Sequence, residues 1–296
     1  MGVARHALRA HAALSVCSAI AFATFLVPPI PEFFRRPANQ AIMDFSYRFG
    51  GQFTVVLGAI AAIAFLAQAV GLRRTLQALA LCFVLSFAAE AIGTTTGYPF
   101  GPYIYTDRLG FLLLGLVPFN IPTSWFYLLV AGLGLCGRLL PAKDDGTSKW
   151  WWAFVASLIL TAWDLVMDPA MFRTEHWLWQ LEETTGAPAW QRLLGTDAYF
   201  GVPPANFLGW ILTGTIVARV MLAVIPPSDW VARVAPHRFP LVLYAVNGIL
   251  PITICLRWGM VPAGVLGMVV MGIPLLRAWR APVAVPPPPA TRAVAA

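Results

Sequence analysis

Apolar runs of about 18 residues or more recur along this chain, separated by short polar stretches. Each is long enough to cross roughly 30 Å of hydrocarbon as a helix. In lipid the backbone has no water to bond, so its N–H and C=O groups must pair within the protein. A continuous run of Leu, Ala, Val, Ile and Phe meets that demand as a helix, whereas a membrane barrel would show short alternating segments. Composition agrees: of 296 residues 59% are hydrophobic and 11% charged, with a mean hydropathy of +0.72. The fold class is therefore all-α, a polytopic helical membrane protein.

Eight transmembrane spans are expected near residues 10–27, 52–71, 76–93, 122–140, 150–168, 205–225, 239–256 and 259–276. The stretch Leu109 to Phe119 is too short for a ninth. It contains Gly110 and Gly115 and runs into Pro118 and Pro122, which suits a re-entrant or broken segment near 109–121. Residues 1–280 read as one integral-membrane domain with a motif-bearing core at 89–210. Residues 281–296, with Pro286 to Pro289, read as a disordered tail. Arg5 and Arg9 precede the first apolar run, which is expected to be an uncleaved anchor, since later spans already insert the chain.

The net charge of +7 does not point to nucleic acid, because the basic residues sort by loop and form no cluster. With eight spans and a cytoplasmic N-terminus, 13 Lys and Arg lie inside and 7 outside, which satisfies the positive-inside rule and puts both termini in the cytoplasm at the cell membrane. A nine-span chain with its N-terminus outside gives the same count but separates Glu90 from Asp168. Eight spans instead bring Glu90, Trp125, Asp168, Asn206 and Trp210 to one face, and a site needs its groups together.

Several chemistries are excluded. His6, His11, His176 and His237 are the only histidines, and no two have metal-ligand spacing. The GxGxxG match from Gly132 to Gly137 lies inside an apolar span with no strand before it and reads as a helix-packing surface. Asp144-Asp145 stands alone in a short loop, so no aspartate-rich diphosphate motif is present. Cys17, Cys82, Cys136 and Cys255 fall in apolar spans without CxxC spacing and read as small buried hydrophobes. No metal and no cofactor are expected.

What remains is three carboxylates near the ends of spans, where an ionised side chain costs up to roughly 2.5 to 3.5 kcal/mol. They lie in two islands rich in Gly, Pro and aromatic residues. The first runs from Glu90 through Tyr103 and Tyr105 to Trp125. The second holds Trp163, Asp164, Asp168, Trp177 and Trp179, then Tyr199, Asn206 and Trp210. The patterns ExxGxxxGxPFGxYxYT, WDxxxDPxM with a following WxW, and YFGVPxxNFxGW resemble the carotenoid biosynthesis family of CruF-type hydratases, over about Ala89 to Trp210. The resemblance implies a cofactor-independent hydro-lyase that adds water across the terminal C1=C2 double bond of an acyclic carotenoid in the bilayer. It leaves open an association with other enzymes of that pathway.

Hydrating a trisubstituted alkene needs a proton on one carbon, a tertiary cation tolerated on its neighbour, and water delivered to the cation. Asp164 and Asp168, four apart, share a helix face and disfavour joint ionisation, so one is the expected proton donor. Glu90 holds the water, shares the proton or is itself the donor. Tyr103, Tyr105, Trp125, Trp163 and Trp210 are candidate walls for an apolar polyene and its cation, and Asn206 is a candidate to orient water. Two other functions use the same residues: a carotenoid cyclase that quenches the cation on an internal double bond, and a transporter or lipid-binding scaffold whose carboxylates relay protons. Against the transporter, no inverted repeat is evident and the polar residues gather at one face. Structural roles are the alternative throughout. Asp168-Pro169 suits a helix end, Trp150 to Trp152, Trp177 and Trp179 suit an interfacial belt, His176 suits a loop, and Gly93, Gly97 and Gly101 suit tight turns.

Overall fold

The computed structural model describes residues 2–26, 30–180 and 199–282, so the tail expected to be disordered lies, from residue 283 on, outside the described residues. Among the described residues eight long helices follow one another: α1 (Gly2–Thr24), α2 (Pro37–Val70), α3 (Leu72–Thr96), α4 (Asn120–Leu139), α5 (Gly146–Arg173), α6 (Pro204–Val224), α7 (Phe239–Arg257) and α8 (Val261–Arg280). All but α4 are long and apolar enough to cross a membrane by length and composition. α4 is the enclosed helix: it packs against α2, α3, α5, α7 and α8 and is buried over nearly its whole length. A helix surrounded by others has neighbours to satisfy polar groups such as Asn120 and Ser124, which explains why its hydropathy is lower and its burial greater. Its glycines are the packing surface expected of them. A Cβ at Gly134 would lie 2.3 Å from Pro240, and one at Gly137 would lie 3.1 Å from the Trp230 carbonyl.

The stretch expected to be re-entrant or the first part of a broken helix is not helical beyond its first turn. After a 3₁₀ turn at Asp107–Leu109, the strand β2 (Leu112–Leu113) pairs antiparallel with β3 (Val117–Pro118), and α4 starts at Asn120. Leu114 and Gly115, both at positive φ, reverse the chain between them, leaving no room for a helical turn. Cys82, Cys136 and Cys255 are buried as expected, but Cys17 is exposed on the outward face of α1.

At one end of the bundle the connections are tied by arginines. Arg74 donates to the Val224 carbonyl and pairs with Asp229 at 2.5 Å, while Arg138 donates to the carbonyls of Ala235 (2.8 Å) and Ala278 (3.2 Å). Asp144 accepts from Ser228, and Asp145 caps α5 through the Ser148 N–H. At the other end, β1 (Tyr103–Tyr105), from the α3–α4 connection, pairs with β4 (Trp177–Trp179), which follows α5. That pairing fixes the ends of α3 and α5 and the start of α4 on one side. α2, with 34 residues, spans roughly 50 Å at about 1.5 Å per residue, about 20 Å more than a hydrocarbon core. Its N-terminal excess stands at this same end. Single cysteines at Thr96 and Glu175 should therefore label from the same side with a membrane-impermeant maleimide, and one at Asp145 from the other. Labelling of Thr96 and Glu175 from opposite sides would overturn the eight-helix topology.

Candidate active site

Glu90 comes from the last two turns of α3, Trp125 from the second turn of α4, Asp164 and Asp168 from the C-terminal third of α5, and Asn206 and Trp210 from the first two turns of α6. What gathers them is a wedge. The turn after α3 has Gly97 and Gly101 in the left-handed region and drives Phe100 between α3 and α6. A Cβ at Gly93 would come within 2.8 Å of the Phe100 ring, and one at Gly209 within 2.7 Å, so both helices give up a side chain where the ring enters. Gly93 was expected to serve a turn. It lies inside α3 instead and permits this close approach.

A lid closes over the gathered residues. In the β1–β4 pair, Tyr103 faces Trp179 and Tyr105 faces Trp177 across the register, and these four rings point inward while Ile104 and Leu178 are exposed, the alternation a two-residue period requires. Arg108 ties the lid down by donating to the Thr174 carbonyl and to the Glu175 carboxylate, the latter at 2.8 Å, and Thr106 Oγ1 donates to the Glu175 carbonyl at 2.8 Å. Beneath the lid, Glu90 Oε2 accepts from Tyr103 (2.5 Å) and Tyr105 (2.7 Å), and Oε1 accepts from Trp125 Nε1 (3.2 Å). Burial first, and the Glu90 charge second, hold both phenols well above their ordinary pKa, so they remain donors. Three donors converging on one carboxyl group suit an ionised carboxylate, which only accepts.

The aspartates are arranged differently. Asn206 Nδ2 donates to Asp164 Oδ2 at 3.1 Å and also to Asp168 Oδ2. The other oxygen of Asp164 is buried with no hydrogen-bond partner. No ion pair among the described residues includes Asp164, Asp168 or Glu90.

Two prolines set the framework around this cluster. α5 does not end at Asp168-Pro169, as a helix-end reading had it, but continues to Arg173. Pro169 cannot donate to the carbonyl four residues back, Leu165 O, and Tyr199 Oη donates to that carbonyl at 2.8 Å. In α7, Pro251 likewise frees Asn247 O, and Trp163 Nε1 takes it at 2.9 Å. Trp125 and Trp210 stack at 4.4 Å between centroids, and Trp163 meets Trp210 edge-on at 6.1 Å. Each freed carbonyl is thus used to fix an aromatic ring beside the carboxylates.

A cavity of about 200 Å³ lies among these groups. Asp168 and Glu90 open onto it with Asn206, and its aromatic wall is Tyr103, Tyr105, Trp163, Trp177, Trp179 and Trp210. Ser46, Tyr47, Gly50 and Gly51, in the overlong part of α2, form the opposite wall. Among the described residues no group of three or more His, Cys, Asp or Glu is placed to hold a metal ion.

The family described as carotenoid biosynthesis protein matches residues 50–274, most of the chain, including the carboxylates and the aromatic wall of the cavity. The chain belongs to this family. It is also similar to the bisanhydrobacterioruberin hydratase of Haloarcula japonica, with 30% identity over 144 residues, a match covering 49% of this chain and 43% of that relative. The chain thus matches less than half of the relative's length. No solved structure matches the chain.

In this member of the carotenoid biosynthesis protein family, most residues singled out from the sequence stand on the cavity wall: Glu90, Tyr103, Tyr105, Trp163, Asp168, Asn206 and Trp210. Trp125 and Asp164 do not. Both are fully buried behind the wall, Trp125 against Glu90 and Trp210, and Asp164 against Asn206. Trp177 and Trp179 are not belt residues; they line the lid, because the strand pairing turns both inward, and Trp152 is not one either, being fully buried with Nε1 donating to the Pro141 carbonyl, whereas Trp150 and Trp151 are exposed. His176 stands in the bend between α5 and β4, as a loop histidine should, but not in solvent. It is buried at the cavity wall, with Nδ1 2.8 Å from Thr174 Oγ1. The signal for the two tryptophans was the spacing in Trp177-Leu178-Trp179, a two-residue period with aromatics on one face; His176 is out of phase with them and carried no such signal.

Proposed function

We propose that this protein is a carotenoid hydratase, a hydro-lyase that adds water across the terminal C1=C2 double bond of an acyclic carotenoid end group, and that it sits in the cytoplasmic membrane with both termini in the cytoplasm. One observation carries the reading: two buried carboxylates with no cationic partner, Asp168 and Glu90, open on the same aromatic cavity but are differently furnished with donors. Asp168 receives the Asn206 amide and shares a hydrogen bond with Asp164, and it is the proton source. Glu90 receives three donors and is the standing anion opposite the developing cation. The cavity, at about 200 Å³, suits one end of a polyene and not its whole length.

The step then balances simply. Asp168 gives its proton to C2, the C1=C2 electron pair forms the new C–H bond, and positive charge appears at C1. The faces of Trp163 and Trp210 and the Glu90 carboxylate stabilise it, the aromatic contribution reaching about 2 kcal/mol in a dry site. Water bonds to C1 and a proton leaves its oxygen. The similarity to a protein named as a hydratase supports water as the quencher over an internal double bond, which would make the reaction a cyclisation.

Membranes containing the protein, incubated with lycopene in oxygen-18 water without added nucleotide, should yield a tertiary alcohol 20 mass units heavier than lycopene, as the chemistry of adding labelled water requires (about 18 for ordinary water). A product of unchanged mass with a ring would make the protein a cyclase, and label arriving from dioxygen would make it an oxygenase.

A further inference from the structure

The proposed hydration leaves one task without a named residue: the proton that the captured water must lose. His176 stands on the cavity wall within the same short segment that carries the lid tryptophans, and its backbone N–H donates to the Met171 carbonyl at 3.0 Å, which holds it at the end of α5, the helix that carries Asp168. Its tautomer follows from its neighbour. Thr174 Oγ1 donates its one hydrogen to the Ala170 carbonyl at 2.9 Å, as a threonine at a helix end does. With the hydrogen so placed, that oxygen accepts at 2.8 Å from His176 Nδ1. We assign the hydrogen to Nδ1 on this arrangement, which makes Nε2 the lone-pair nitrogen. The Thr174 contact engages Nδ1 alone, and the residue is only 9% exposed.

We propose that His176, through Nε2, is the base of this reaction: it accepts a hydrogen bond from the attacking water and takes its proton once the oxygen has bonded to C1. The assignment rests on the hydratase reading above. The balance closes within the site. Asp168 loses a proton to C2 and becomes a carboxylate; the oxygen lone pair forms the C1–O bond; the O–H pair stays on oxygen as the proton passes to Nε2. The imidazolium then returns that proton to the Asp168 carboxylate through water, and the net reaction is alkene plus water giving alcohol. Burial, with the Arg108 charge second, pushes the imidazole down to about 4, so it enters the reaction neutral and puts no second positive charge beside the cation. A weak base suffices, because a protonated alcohol is a strong acid.

The test separates proton delivery from water capture. Membranes are incubated with lycopene in deuterium oxide, and both the alcohol and the recovered lycopene are analysed for deuterium by mass spectrometry. With His176→Leu, at matched amounts of inserted protein, hydration should fall about 10²-fold, the low end for loss of a general base. The recovered lycopene should nevertheless gain deuterium at C2, because the cation still forms and returns to alkene. His176→Gln, whose side-chain oxygen can accept from water near the Nε2 position, should recover part of the hydration. Asp168→Asn should lower deuterium gain and hydration together, by about 10²- to 10⁴-fold, which marks failure at the protonation step. Undiminished hydration by His176→Leu, or loss of deuterium exchange in step with hydration in both His176 variants, would overturn the base assignment while leaving the hydratase reading intact. An undeuterated, unhydrated pigment from the wild-type protein would remove the hydratase reading and this assignment with it.

Discussion

Asp168→Asn should insert into the membrane in normal amounts and hydrate its substrate about 10²- to 10⁴-fold more slowly, the usual cost of removing a general acid. The substitution keeps the shape of the side chain and takes away only the transferable proton. Its local cost is small, because the donor it accepts from is the Asn206 amide, and an asparagine side chain offers that amide an oxygen in the same place. Asp164→Asn makes the contrasting control. Asp164 lies behind the wall, with one oxygen on Asn206 and the other unpartnered, so its loss perturbs the cluster without removing the group that faces the cavity. An effect of about tenfold or less is expected, the equivalent of one hydrogen bond of about 1.4 kcal/mol. Pigment analysis at matched protein levels in a lycopene-producing host measures both. Were Asp164→Asn inactive and Asp168→Asn active, the proton would have to come from the inner carboxylate, and the geometry proposed here would be wrong.

The difference between the two aspartates shows where sequence reading stops. Their spacing by four placed them on one helix face, as it must, but which of them faces the cavity depends on how α5 is rotated against α6, and no local pattern records that. The eight helices were legible because each needs its own apolar run; even α4 was, although its interior position lowers its hydropathy. The carboxylate and aromatic cluster was legible because a polar residue near the end of an apolar span is costly and therefore informative. The lid was not. Tyr103 to Tyr105 and Trp177 to Trp179 are three-residue strands some 70 residues apart, and their pairing is a tertiary event with almost no local propensity behind it. For that reason Trp177, Trp179 and His176 read as interface residues although they form the cavity wall. The uses of Leu165 O and Asn247 O were hidden in the same way: Pro169 and Pro251 announce that a carbonyl is free, but not that Tyr199 and Trp163 will claim it.

Glu90→Gln should lower hydration about 10²- to 10³-fold, the range seen when a fixed electrostatic partner of a charged transition state is removed. Two effects act together and can be told apart. Electrostatically, the amide has no charge to set against the cation at C1. Structurally, Tyr103, Tyr105 and Trp125 all donate to the Glu90 carboxyl group, and a glutamine presents a donor where one of its two oxygens stood, so at least one buried donor loses its acceptor at about 1 to 3 kcal/mol. The double substitution Tyr103→Phe with Tyr105→Phe isolates the second effect, since it removes two donors and leaves the carboxylate in place. It should loosen the lid, yet cost less activity than Glu90→Gln does. In deuterium oxide Glu90→Gln should also slow exchange into recovered lycopene, because the cation itself forms less readily, a signature unlike that of the His176 variants. Equal losses in Glu90→Gln and in the double tyrosine variant would mean that Glu90 serves only to anchor the lid. The cation would then rely on the Trp163 and Trp210 faces alone.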